Sequence, residues 1–158
     1  MSVETEEFKA ALSRFASGVT VVTTRDAAGK LHGLTVSAFC SVSLDPPLVL
    51  VCIEKATASH YAFAESGEFT ASILSESQAG LSEHFATELA NKFDEIATME
   101  TSNGLPAIHD ASAVLECSIR FMHDGGDHTI FVGEVEKVSI NDHAPLVYFR
   151  GDYKSISK

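Results

Sequence analysis

Apolar positions recur along the chain with two periods. Across residues 5–17, Phe8, Ala11, Leu12 and Phe15 fall at helical spacing, and Glu6 and Glu7 occupy the first turn, where the helix dipole favours them. A helix is predicted there, ended by Gly18. Residues 19–24 are β-branched throughout and predict a strand. Residues 26–30, with Gly29, predict a hairpin loop, followed by a strand region over 31–43 and a break at Pro46-Pro47. Residues 48–53 are apolar without interruption, the pattern of a central strand buried on both faces. Helical character returns over 59–65, a strand is predicted over 69–74, and Leu81, Phe85 and Leu89 mark a helix over 76–90. Residues 91–110 carry mixed signals and a turn at Gly104-Leu105-Pro106. Alternating strands are predicted over 114–122 and 128–140 around the turn Asp124-Gly125-Gly126-Asp127, and a last strand over 146–149. Six or more strands joined by hairpins, without βαβ alternation, predict a mainly β, antiparallel fold with a few short peripheral helices. A closed or split barrel is the favoured form.

Composition narrows what such a fold can do. At 158 residues the chain is expected to form a single domain over 1–158, near the ~150 residues typical of one. Eleven Lys and Arg against 22 Asp and Glu leave a net charge of −11. That balance argues against gripping a nucleic-acid backbone or an anionic membrane. Three cysteines, Cys40, Cys52 and Cys117, are widely spaced and odd in number, which suits reduced thiols in a cytoplasmic protein better than a disulfide framework or zinc site. The acidic start of the sequence does not read as a secretory signal, and the longest apolar run, 48–53, is far below the roughly 20 residues that span a bilayer.

The usual catalytic signatures are missing. No GxGxxG, P-loop, HExxH or GxSxG occurs. His123 and His128 flank Asp124 and Asp127, and read more simply as a polar hairpin turn than as metal ligands. Two polar stretches interrupt the apolar strands instead. Over residues 35–43 small hydroxyl residues alternate with apolar ones, so several can line one face, and small side chains let a flat ligand approach the backbone. The plainer reading is a half-buried strand with solvated hydroxyls. Over residues 54–60, Lys55, Thr57, Ser59 and His60 precede a helix, which suits either a phosphate cradle or ordinary N-capping by Thr57 or Ser59.

The stretch from Gly33 to Val49, GLTVSAFCSVSLDPPLV, resembles the signature of the flavin reductase-like, FMN-binding split-barrel family. Phe15 to Thr23, Gly126-Asp127-His128 with the hairpin strand after it, and Leu146 to Tyr153 are similar to further motifs of that family, in the same order. The resemblance covers about Phe8 to Tyr153. It implies a Greek-key split β-barrel, a homodimer, and the small reductase component of a two-component flavin monooxygenase. Such a component uses NADH or NADPH to reduce FMN or FAD and passes the reduced flavin to a separate monooxygenase. It further implies that Thr35, Ser37, Ala38 and Ser41 line the flavin ring and ribityl chain, with Val36, Val42, Ser43 and Cys52 as further contacts. Lys55, Ser59 and His60, joined by Lys92 and Phe93, are expected near the flavin phosphate. His128 is expected to face the nicotinamide as the catalytic residue, and Arg150 and Tyr153 to hold the nucleotide or the dimer-side flavin edge. The sequence departs from the family pattern at Ala38, where a second serine is common, and at Asp152, where an arginine is common. A flavin- or haem-binding carrier without turnover, or a flavin-mediated reductase of another acceptor such as a corrinoid, stands as the alternative on the same fold.

Overall fold

The computed structural model describes residues 2–156. In chain order it runs α1 (Thr5–Leu12), β1 (Ser17–Gly18), β2 (Thr20–Arg25), β3 (Leu31–Val36), β4 (Phe39–Leu44), β5 (Pro47–Glu54), α2 (His60–Ser66) and β6 (Glu68–Ile73). A 3₁₀ turn (Glu76–Gln78) leads into α3 (Ala79–Ala86), followed by β7 (Thr98–Glu100), β8 (Pro106–Ile108), β9 (Ala113–Gly125), β10 (His128–Ile140), β11 (Val147–Phe149) and β12 (Asp152–Lys154). The main sheet has seven strands in the order β3-β2-β6-β9-β10-β5-β4, every pairing antiparallel. The fold is mainly β with short helices, as the hairpin spacing predicts.

The two edges of this sheet are β3 and β4, yet only Ser37 and Ala38 separate them in sequence. Laid flat, six inter-strand gaps would hold the edges about 29 Å apart. Three residue steps from Val36 to Phe39 reach about 11 Å at most. The sheet therefore curls until its edges meet at Ser37-Ala38.

Burial follows from that curl. Val21 and Val22 point to opposite faces of β2 and join two separate cores. Val22, Val51, Ile53, Phe63, Phe69 and Phe131 fill one core, with α2 contributing Phe63. Val21, Leu74, Phe85, Ile108 and Leu146 form the other, on the opposite face, where α3 and β8 pack. Each of the buried phenylalanines stabilises by roughly 1.5–3 kcal/mol.

Four expectations about elements change. The strand buried on both faces is β2, whereas β5 alternates: Val49, Val51 and Ile53 are buried while Leu48, Leu50 and Cys52 are half-exposed. The first helix stops at Leu12 rather than residue 17, because Arg14 and Phe15 close i→i−3 turns and Ser17–Gly18 then extends to pair with Val147 and Tyr148. The strand region 31–43 is two strands broken at Ser37-Ala38, and the helix over 76–90 ends at Ala86, where Thr87 turns extended. Residues 91–110 hold the small β7–β8 pair, and β12 adds to β11 beyond the last predicted strand.

Candidate functional site

A cleft of about 690 Å³ opens where the curled sheet fails to close. Its apex is Ser37-Ala38. Strand β4 covers β5 only from Pro47 to Val51, and the Cys52 amide bonds the Ala38 carbonyl at 3.0 Å. Beyond that point Cys52, Ile53 and Glu54 form one wall and β3, back to Lys30, forms the other. As an edge strand, β3 leaves alternate main-chain donors and acceptors without a strand partner. Residues 85–90 and Lys92 close the third side, and His128, paired with Glu54 across β10 and β5, stands at the lip.

The walls are braced by specific bonds. Thr35 Oγ1 donates to the Ser82 carbonyl at 2.6 Å, and Ser82 Oγ shares a 2.8 Å bond with Tyr153 OH, so Tyr153 supports the cleft from behind. Lys92 Nζ donates to the carbonyls of Gly33 and Phe85, each at 3.0 Å, which ties the segment after α3 to β3. Burial of that amine lowers its pKa, with Glu88 opposing the shift. Phe93 packs on Phe85 with ring centroids 5.3 Å apart.

At the end of the cleft away from the apex, His32 reaches across from β3. Its Nε2 lies 2.8 Å from Asp26 Oδ2 and its Nδ1 lies 3.0 Å from Ser59 Oγ. Tyr61 OH donates to the same Asp26 oxygen at 2.9 Å, while Asp26 Oδ1 accepts from the Ala28 and Lys30 amides. These bonds, that to His32 first, hold the Asp26 carboxyl at about 2. Ser59 precedes α2 but makes no side-chain cap bond; its hydroxyl is turned to His32.

Of the residues singled out from sequence, Thr35, Val36, Ser37, Ala38, Cys52, Ser59, Lys92 and His128 line this one cleft. Phe93 and Tyr153 lie behind its walls. Ser41, Val42 and Ser43 lie on β4, outside the cleft lining. Lys55 donates to the Asp124 carboxylate and, at 2.6 Å, to the Gly126 carbonyl, clamping the β9–β10 turn. His60 Nε2 bonds Thr129 Oγ1 at 2.8 Å, and the Arg150 guanidinium lies 5.3 Å from the Phe149 ring centroid. His128 Nδ1 pairs with Asp127 Oδ1 at 2.7 Å, which holds the Asp127 carboxyl below the usual range. Burial pushes the Cys52 thiol up and drives Cys117 to about 12, so both stay protonated near neutral pH.

Sequence reasoning missed Asp26, His32 and Tyr61, and the lining from Lys30 and residues 86–90, whereas Glu54 and Thr57 belong to the polar stretch it singled out. One signal was available: His32 is a polar residue at a strand position between the apolar Leu31 and Leu34, and it is only 7% exposed. The cleft suits a flat ligand with an anionic end. Its volume falls within the range of small-molecule sites. Its apex offers backbone and small side chains, and its lining includes the amines of Lys30 and Lys92 and the Ser59 hydroxyl.

Residues 12–157 match the family described as flavin reductase like domain. A Rhizobium meliloti protein described as "Probable flavin reductase" is 40% identical over 143 residues, covering 90% of this chain and 46% of that protein. This chain thus spans about half the length of that relative. The reductase subunit of a flavin-dependent monooxygenase from Rhodococcus jostii is 35% identical over 156 residues, covering 98% of this chain and 80% of that one. Among solved structures, the NADH:FAD oxidoreductase of Streptomyces globisporus, in complex with NAD and FAD fragments, superposes with a TM-score of 0.92 at 32% identity, covering 99% of this chain and 97% of that chain.

Proposed function

This chain belongs to the flavin reductase-like family, and from that premise we propose that it is an NAD(P)H-dependent flavin reductase that supplies reduced FMN or FAD to a separate monooxygenase. The observation that carries the proposal is the cleft at the open edges of the sheet, with backbone and small side chains at its apex, cations and a hydroxyl toward its far end, and His128 at its lip. A bound flavin supplies the ring that accepts a hydride, and the nicotinamide supplies the hydride.

That division explains why no activated nucleophile occurs in the sequence. The chain's own task is to position. Main-chain groups around Ser37 and Ala38 orient the flavin edge where negative charge develops. Lys30, Ser59 and Lys92 hold the anionic end. His128, its Nδ1 committed to Asp127, orients the nicotinamide. Lys55, engaged with Asp124 and Gly126, shapes the turn that carries His128.

The assembly is a homodimer. Cys40, Leu50, Val132 and Phe121 are consecutive cross-strand neighbours on the outer face of β4, β5, β10 and β9. Antiparallel partners point to the same face, so these four form one apolar row. Phe121 is 54% exposed. A second copy laid on this face accounts for the uninterrupted apolar run of β5. No helix among the described residues is long and apolar enough to cross a membrane.

Purified protein mixed with NADH and either FMN or FAD tests the function through the decay of the nicotinamide absorbance. Consumption that requires both nucleotides, and reduced flavin recoverable by an added flavin-dependent monooxygenase, is expected. Flavin binding without NADH consumption would leave a carrier rather than a reductase.

A further inference from the structure

His32 is one of the least exposed polar side chains of the cleft lining, and both its ring nitrogens are engaged. Asp26 accepts four bonds, from the Ala28 and Lys30 amides, from Tyr61 OH and from His32, so it is ionised and has no proton to give. The proton between Asp26 and His32 therefore sits on Nε2. Only Nδ1 remains variable, and its sole neighbour is Ser59 Oγ at 3.0 Å. With neutral Nδ1, the Ser59 hydroxyl spends its one proton on the ring and offers the cleft only lone pairs. With protonated Nδ1, the ring donates to Ser59 and the hydroxyl proton is released for an acceptor in the cleft. An anionic oxygen needs a donor, so it discriminates between these two states.

We propose that His32 is a positioning residue for phosphate recognition: protonation of Nδ1 frees the Ser59 hydroxyl to donate to a phosphate oxygen of a nucleotide in the cleft, so that one proton is taken up with the bound phosphate. The inference rests on the proposed reading of the cleft as a flavin and nicotinamide nucleotide site. Asp26 from the β2–β3 turn and Tyr61 from α2 are the charged and titratable groups against the His32 ring, and the rest of the cleft lining adds Lys30 from that turn, Cys52 and Glu54 from β5, Glu88 and Lys92 from the segment after α3, and His128 from β10. The Asp26 carboxylate lies against Nε2, and Tyr61 stands edge-on to the ring at 5.5 Å between centroids. Ser59 does not cap α2, which leaves its hydroxyl to this pairing alone.

The test is binding measured by flavin fluorescence from about pH 6 to about pH 8, the window of histidine titration. FAD is the probe, because its diphosphate stays ionised throughout, and riboflavin, which lacks phosphate, is run beside it. NADH, titrated separately, shows which nucleotide's phosphate reaches Ser59. FAD or NADH affinity is expected to fall by roughly tenfold across the window, while riboflavin stays level. Ser59→Ala and His32→Gln should each flatten the slope to the same weaker affinity, and the double variant should lose nothing more. Ser59→Thr, which keeps a hydroxyl, should restore the slope. His60→Gln, whose imidazole is bonded to Thr129 outside the cleft lining, should leave it intact, which separates His32 from the imidazole next to Ser59 in sequence. A level profile for FAD and NADH in the unaltered protein, with FAD still bound more tightly than riboflavin, overturns the inference alone. So does a wild-type slope in Ser59→Ala. Failure of FAD, riboflavin and NADH to bind at all overturns the functional reading, and the inference with it.

Discussion

A Cβ built on Gly33 would stand 2.9 Å from Phe85 Cδ1 and Cε1 and from Phe93 Cζ. One on Gly133 would stand 2.7 and 2.8 Å from the Phe69 ring and 3.0 Å from Cys117 Cβ. Both glycines admit an aromatic ring where any side chain would collide, but the rings differ. Phe69 is sealed in the core, so Gly133→Ala should destabilise by about 1–3 kcal/mol in chemical denaturation and leave flavin affinity of the folded protein unchanged. At Gly33 the methyl meets the sealed Phe85 ring and also Phe93, which is half-buried on the segment that closes the cleft, so Gly33→Ala should destabilise similarly and in addition displace that segment, raising the flavin Kd of the folded protein in a fluorescence titration. Asp26 makes a separate prediction. Its folded carboxyl titrates at about 2 against 3.8 ordinarily, so the stability it contributes is complete above about pH 4 and is lost as pH falls toward 2. Denaturation curves of wild type and Asp26→Asn should differ at the upper end of that window and converge at the lower.

Strand β5 shows what a period of two can and cannot reveal. Its apolar run reads as two-face burial, and one face is indeed core, but Leu48, Leu50 and Cys52 sit on the outer face. A sequence records that a face shuns water without recording whether this chain or a second copy covers it. Phe121→Lys places a charge in the row with Cys40, Leu50 and Val132, so it should shift the protein from dimer to monomer in sedimentation velocity while the β-sheet circular dichroism persists. Most long strands were legible because β-branched and alternating runs dominate them. The break at Ser37-Ala38 was not, since hydroxyl and apolar residues alternate straight through it and only the sheet order reveals the corner. The strands β7, β8 and β12 have three residues each, too few for a period to register. The Thr35–Ala38 wall was readable from the motif around it. His32 and Ser59 meet across 27 positions, and nothing local links a strand histidine to a distant hydroxyl.

Closure of the whole sheet depends on a two-residue corner. Inserting two glycines between Ser37 and Ala38 lengthens that tether, so the walls of the cleft should part and flavin affinity should fall tenfold or more in a fluorescence titration. The same insertion between Asp142 and His143, exposed in the β10–β11 connection and away from the cleft lining, lengthens no such link between edges and serves as the control. The net charge of −11 bears on the molecule at the same scale, because it leaves nucleotide capture to the few cations gathered at the cleft, Lys30 and Lys92. The apex of that cleft has a longer reach in time. Peptide groups are common to every residue type, so a pocket that reads its ligand through strand edges can exchange side chains over generations and retune the ligand it prefers without surrendering its hold. Inheritance then acts on fit, while recognition itself stays written in the backbone.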